Sequence, residues 1–436
     1  MLKTISGVAL NLTSTFVFQF LLIKSTGLNK VADSYYLALA LCLFLGSIFT
    51  SMIQFTYQRK LIHEDVIQIS ICKRVIKLSI MAVIFNCLFL ASISFIAGHL
   101  LNRFNFSVSQ FALMVFVGGL QILATVSVTF SYGFGNKFVP GFSGVYPSLG
   151  SSIVFFETSL NAILIGMCAG FLLQISHNMI VSKFKWDARL KKYDSVESVK
   201  SKDENLMTIQ YFFLSGYTVL QRVIFGMTSS LSIAEFATAE KISQSVGSFL
   251  SGGFNQYAFN NEVEVMESKK VSSKRNFSRQ EKYLITLFVI LAILIYFQQD
   301  FLNLLFKFAK VDSTSEANVA GYLKPLLLVV ATTSLGGLLT NKLYSVGQTR
   351  LCALTGIFNA TLISASIILL SFMDKLHLVA IVYFICSGLN MSIKVFQWYF
   401  VYLPKAEKSL QRSSWMEIFQ YYGALSALAI LSAIAK

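Results

Sequence analysis

Residues 111–133, FALMVFVGGLQILATVSVTFSYG, run for 23 positions without one charged side chain. At 1.5 Å per residue this stretch makes a helix of about 34 Å, enough to cross a hydrocarbon layer of ~30 Å. Polar breaks mark out twelve more windows of this kind. The expected spans are 4–23, 34–56, 76–98, 111–133, 138–157, 160–181, 207–228, 234–257, 283–302, 321–343, 351–372, 377–402 and 417–435. The composition agrees: 55% of the 436 residues are hydrophobic and 13% charged, and mean hydropathy is +0.64. Soluble domains carry about 25% charged residues, so too little polar side chain exists here to cover a water-soluble globule. The sequence therefore reads as a polytopic membrane protein and not as a soluble enzyme.

The net charge of +15 could mark a nucleic-acid partner or the loop bias of a membrane protein. Position decides between them. With the N-terminus inside, and the span-end lysines Lys77, Lys324 and Lys342 counted with the adjoining loops, 25 of the 36 Lys and Arg fall on inner loops, eight on outer segments and three (Arg222, Lys241, Lys394) within spans. That three-to-one excess predicts a cytoplasmic N-terminus and accounts for the charge without nucleic acid. The first span lacks a small-residue cleavage site and carries Asn11, Thr13, Ser14, Thr15 and Gln19, so it is expected to be retained. The six cysteines form no CxxC and read as small core residues.

The most polar stretch is Lys183 to Asn205, KFKWDARLKKYDSVESVKSKDEN, between the sixth and seventh spans. Six spans before it and six after make the second half enter the membrane in the same direction as the first, as in parallel internal repeats. Gly46-Ser47-Ile48-Phe49-Thr50 with Gln54 is echoed by Gly247-Ser248-Phe249-Leu250-Ser251 with Asn255, at a constant offset of 201. The expected fold is all-α. A six-helix bundle (1–182), a cytoplasmic linker (183–206) and a second six-helix bundle (207–402) would surround a central polar cavity. Residues 403–436 would add a cytoplasmic segment and a thirteenth membrane helix.

Polar residues inside the spans point to the function. Thr4, Asn11, Thr15 and Gln19 share an arc of about 80° on the first helix. Ser47, Ser51 and Gln54 repeat this on the second helix, Gln210, Tyr217 and Gln221 on the seventh, and Glu240, Gln244, Ser251 and Asn255 on the eighth. Such stripes either glue helices together or line a cavity. Charges discriminate better, because Lys, Arg or Glu at bilayer depth costs at least ~2.5 kcal/mol on insertion scales. Arg222, Glu240 and Lys241 are therefore expected to face protein or water, while Lys394 could snorkel. His63, His99, His177 and His377 lack metal-ligand spacing, and no P-loop, GxSxG or HExxH motif occurs. No cofactor is expected.

Several segments resemble a family. Gly27 with Val31-Ala32-Asp33-Ser34-Tyr35-Tyr36-Leu37-Ala38 is similar to the opening of the second helix in MviN-type lipid II flippases. Gly166, Gly170 and Gln174 resemble the glycine-spaced sixth helix there. Gln221-Arg222 and Phe236-Ala237-Thr238-Ala239-Glu240-Lys241-Ile242 resemble the seventh and eighth helices. In order and placement these segments resemble the multidrug/oligosaccharidyl-lipid/polysaccharide (MOP) exporter superfamily, which also holds the Wzx-type O-antigen flippases. Lipid II flippases carry arginines in the first helix and have fourteen spans. Here residues 1–23 hold no arginine and Phe18 stands where one would fall, which favours the polysaccharide branch.

The resemblance implies a flippase, not an enzyme, whose cargo is an undecaprenyl-diphosphate-linked oligosaccharide. Its surroundings would be membrane lipids, and its functional partner a polysaccharide polymerase. Asn11, Gln19, Gln54, Gln221 and Asn255 would bind the sugar, Arg222 and Lys241 the diphosphate, with Asp33 and Glu240 carried over from the family's motifs. Relatives are thought to hold sodium with acids on the seventh, eleventh and twelfth helices. The eleventh here offers Asn359 and Thr361, and the twelfth Ser387, Asn390 and Lys394, which points to membrane potential instead. A lipid II flippase, a cation-coupled drug exporter and a membrane-embedded polymerase or ligase are the alternatives.

Overall fold

The computed structural model describes residues 2–53, 67–100, 106–133, 144–191, 202–228, 232–247, 273–309, 311–345, 348–402 and 405–434. Thirteen α-helices occur among them, as a membrane solvent requires: only a helix satisfies its own backbone polar groups there, apart from a closed barrel. They are α1 (Leu2–Thr26), α2 (Lys30–Ile53), α3 (Ile69–Leu100), α4 (Val108–Gly133), α5 (Val145–Ser151), α6 (Leu160–Arg189), α7 (Lys202–Met227), α8 (Ile233–Gly247), α9 (Ser273–Ala309), α10 (Ser313–Ser345), α11 (Thr349–Phe372), α12 (Val379–Phe396) and α13 (Lys405–Ile434). Two short strands, β1 (Ile67–Gln68) and β2 (Leu190–Lys191), pair in parallel. Seven helices are long and apolar enough to cross a membrane on length and composition. On α3 the faces are sorted as lipid demands: Ile80, Ile84, Phe85 and Leu88 are exposed, while Val75, Ser79, Ala82, Asn86 and Leu90 are buried. In water such an apolar face would be an association site; in a bilayer it is the solvent-facing side. The chain is a multi-pass membrane protein.

The chain divides into two compact units, residues 1–234 and 235–436. In the first, α4 packs on α6, α2 and α3, and α5 lies against α6 and α1. Helix α7 lies along α2, so by packing it belongs with the first unit, although in the repeat it is counted as the opening helix of the second half. The tightest seam is α5–α6. A Cβ on Gly150 would overlap the carbonyl oxygen of Gly166, one on Gly166 would overlap that of Gly150, and one on Gly170 would overlap that of Tyr146. The Gly166-x-x-x-Gly170 spacing is thus a backbone-to-backbone contact, which only glycine allows. Gly27, at φ 66°, ends α1 in the left-handed conformation, its N–H reaching Ile23 O at 2.8 Å.

In the second unit α10 is the central helix, packed along α12 and flanked by α9, while α9 also carries α13. Helix α13 begins at Lys405, well before the apolar window at 417–435. Its inward residues Trp415, Ile418, Tyr422, Leu425 and Ala429 recur at alternating spacings of three and four, the seam of a helix packed along its length. The Tyr422 hydroxyl meets Thr332 Oγ1 of α10 at 2.8 Å.

Two expectations change. The outer connection expected between the spans 283–302 and 321–343 is nearly all helix: α9 runs to Ala309 and α10 starts at Ser313, where Asp312 Oδ2 accepts the Ser315 N–H at 2.9 Å as an N-cap. Of the fifth span, 138–143 lie outside the described residues; the described part is a short helix, Val145–Ser151, followed by a 3-10 turn, Ser152–Phe155. The described cysteines Cys42, Cys87, Cys168, Cys352 and Cys386 are all free.

Candidate functional site

Of the residues singled out in the sequence, Asn11, Gln19, Asp33, Gln221 and Arg222 lie in the first unit and Glu240 and Lys241 in the second. Gln54 and Asn255 lie outside the described residues.

The α1 stripe is largely spent on neighbouring helices. Gln19 Oε1 accepts the hydroxyl of Tyr36 on α2 in a buried pair. Thr15 Oγ1 and Ser148 Oγ of α5 are 3.2 Å apart, and Asn11 lies against Gly144 at the start of α5. Phe18 is buried edge-on against Tyr35, ring centroids 5.6 Å apart. That explains the missing arginine: position 18 belongs to the α1–α2 core, where an unpaired guanidinium would be very costly. On α7, Gln221 and Arg222 are buried within the first unit. His177 Nδ1 pairs with the hydroxyl of Tyr146, which gives this histidine a structural role.

Asp33 has a defined task. Its Oδ1 accepts the Ser232 hydroxyl at 2.9 Å and the Ala234 N–H at 2.7 Å, where α8 begins. A carboxylate at a helix start satisfies an orphan N–H and meets the positive end of the helix dipole. Glu235, next in the chain, accepts from Asn318 Nδ2 of α10 at 3.0 Å. Val31-Ala32-Asp33 and Ile233-Ala234-Glu235 thus open α2 and α8 alike, and in both the acid binds neutral donors. Glu235 escaped the sequence reading, although this parallel tripeptide marks it.

Further along α8, Glu240 is buried and Lys241 half-buried, with Lys241 Nζ 3.2 Å from Gln244 Oε1 one turn on. Phe236 and Ala237, just before them, are fully buried, Phe236 standing edge-on to Tyr322 and Tyr383. This apolar anchor fixes the helix and with it the direction of the acid and the cation.

Two more cations are buried in the second unit. Lys394 of α12 does not snorkel and reaches no acid among the described residues: its Nζ is 2.8 Å from Thr340 Oγ1 of α10, and the residue is 9% exposed. Lys342, counted with the inner loops in the sequence, is 8% exposed, and its ammonium lies 5.3 Å from the ring centroid of Trp398. No group of three or more His, Cys, Asp or Glu that could hold a metal ion is found among the described residues.

No family model matches the sequence, and comparison with curated proteins finds no match. Solved structures do match. The lipid II flippase MurJ in its inward closed conformation has a TM-score of 0.59 at 14% identity, over 99% of this chain and 96% of its own. A MATE multidrug-resistance transporter of the MOP superfamily, inward-facing, has a TM-score of 0.56 at 12% identity over 88% and 94%. The fold is that of a MOP transporter. A MATE structure in complex with MaD5 gives 0.55 at 13% identity over 96% and 95%, so the likeness spans both flippases and drug exporters. A shared fold does not fix function, so the reading has to rest on the chemistry of the buried side chains.

Proposed function

We propose that this MOP-fold protein moves an undecaprenyl-diphosphate-linked oligosaccharide, an O-antigen, capsule or exopolysaccharide repeat unit, from the inner to the outer leaflet of the bacterial cytoplasmic membrane, with its N-terminus in the cytoplasm. One observation carries the reading. Among the described residues, the acids at the openings of α2 and α8 are fixed by neutral donors, Asp33 by Ser232 and Ala234 and Glu235 by Asn318, and the buried cations Arg222, Lys342 and Lys394 with half-buried Lys241 exceed by one the three buried acids Asp33, Glu235 and Glu240. An interior with this balance suits an anionic cargo and opposes an organic cation. Arg222 in the first unit and Lys241 in the second are each of the type that gives a diphosphate charge-assisted donors. Gln221 and Asn11, with Gln54 and Asn255, supply amides for sugar hydroxyls. Asp33 and Gln19 set helix positions and act on cargo through them.

Lipid II shares the diphosphate carrier, and its flippase shares the fold. Phe18 in the α1–α2 core removes the first-helix cation of that family, which favours the polysaccharide cargo. Thermal shift of the purified protein separates the readings, because a ligand that binds the folded state stabilises it in proportion to occupancy. Undecaprenyl-diphosphate oligosaccharide is expected to raise the melting temperature more than lipid II does, and tetraphenylphosphonium not at all. Stabilisation by the organic cation alone would overturn the reading.

A further inference from the structure

Helices α4 and α6 of the first unit and α10 and α12 of the second are corresponding pairs in the repeat, and each pair carries a polar rung in its C-terminal half. In the first, Asn178 Nδ2 donates to Ser127 Oγ at 2.8 Å. In the second, Lys394 Nζ donates to Thr340 Oγ1 at the same distance. A neutral amide therefore suffices to tie such a seam, and the charge on Lys394 calls for a different explanation.

The Lys394 ammonium has three donors. Thr340 takes one, while its own hydroxyl hydrogen goes to Gly336 O at 2.8 Å. The other two meet no acceptor among the described residues. One turn further on, the Trp398 indole N–H is buried and also without an acceptor among the described residues, and the face of its ring receives Lys342. Trp398 lies in a π-helical segment, Gln397–Tyr402, a wide turn that recurs at functional sites. Snorkelling does not account for the pair, since both lysines are more than nine-tenths buried. The negative ends of α10 and α12 help to hold the charges but leave the spare donors unused.

We propose that the α10–α12 seam is a phosphate-binding site in which Lys394 and the Trp398 N–H donate to one phosphate group, carried by an anionic lipid headgroup or taken free from solution, with Lys342 over the Trp398 ring adding positive charge beside it. Lysine binds phosphate as a point charge, and the indole N–H adds direction.

Trp398 reports on its own site. With Trp186→Phe and Trp415→Phe it becomes the sole tryptophan. The protein in phosphatidylcholine nanodiscs is titrated with inorganic phosphate, using chloride at equal ionic strength as control, and is compared with protein in discs containing phosphatidylglycerol. A saturable change in Trp398 emission with either probe is expected. It should weaken at least tenfold in Lys394→Met and survive in Lys394→Arg. A response to phosphatidylglycerol alone identifies a lipid headgroup, and one to inorganic phosphate alone a solution anion; both support the site. If Lys394→Met elutes as aggregate, Lys342→Met serves for the same comparison. No response to either probe, a response equalled by chloride, or one unchanged by removal of the ammonium would overturn the proposal.

Discussion

Asp33→Ala and Asp33→Asn separate a helix-positioning carboxylate from one that acts by charge. In Asp33→Ala the Ala234 N–H and the Ser232 hydroxyl lose their acceptor, at 2.7 and 2.9 Å, and the buried N–H finds no water. Hydrogen bonds to a charged group contribute roughly 1.5–3 kcal/mol, and loss of an N-cap costs about 0.5–2. These overlap, so the expected loss is about 2–4 kcal/mol. Asparagine keeps a carbonyl oxygen in the same place and forfeits mainly the dipole contribution, about 0.3–1 kcal/mol. At roughly 2–4 °C per kcal/mol for a unit of this size, Asp33→Ala should melt about 4–16 °C lower and Asp33→Asn only about 1–4 °C lower. Fluorescence-detected size-exclusion after heating reads the difference, and flipping assayed beside it should follow the same order. A melting temperature for Asp33→Ala within a degree of the parent, or an Asp33→Asn variant that melts normally yet transports nothing, would refute the positioning role.

Other outcomes follow from the same geometry. Arg222→Ala and Lys241→Ala should each abolish export at unchanged protein level, while Lys241→Arg keeps much of it; full complementation of a deletion strain by Lys241→Ala would remove that residue from the cargo path. Gly166→Leu should force α5 from α6, an overpacking cost of at least about 1–3 kcal/mol read as lost detergent stability, whereas Gly336→Ala, which meets nothing within 4 Å, should be neutral. The Asp312 carboxyl, held below its ordinary pKa chiefly by the Ser315 N–H, favours the capped start of α10 while ionised; the cap is present at neutral pH and lost as pH falls through that lowered value, so Asp312→Ala should remove the acid sensitivity of amide exchange at Ser315. A cysteine at Ser272 should resist impermeant reagents in intact cells, and its labelling there would reverse the topology.

The helices were legible because charge-free runs such as 111–133 have no other stable solvent than lipid. Their ends were less so: α9 starts with Lys274, Arg275 and Arg279, charged turns that hydropathy assigns to a loop although the backbone stays helical. Among the site residues, sequence singled out Arg222 and Lys241 by the cost of burying charge. It could not see that Gln19 is taken up by Tyr36, nor that Asp33 serves a backbone group 201 positions later, because both depend on tertiary neighbours. Lys342 was missed for the same reason. Beside Thr340 and Asn341 it reads as a loop cation, and only Trp398, far along the chain, makes it buried.

The central claim, outward movement of an anionic lipid-linked sugar, is tested most directly in proteoliposomes holding a fluorescent undecaprenyl-diphosphate oligosaccharide, with a potassium-valinomycin potential imposed in the absence of sodium. A potential negative on the cytoplasmic side favours export by about 2.3 kcal/mol per charge per 100 mV, so at most roughly 4.6 kcal/mol for two charges carried through the whole field. The account predicts flipping that needs the protein, accelerates with this potential and disappears in Arg222→Ala. Flipping that ignores the potential but follows a sodium or proton gradient would contradict the driving force, and absence of flipping under every gradient would contradict the function itself.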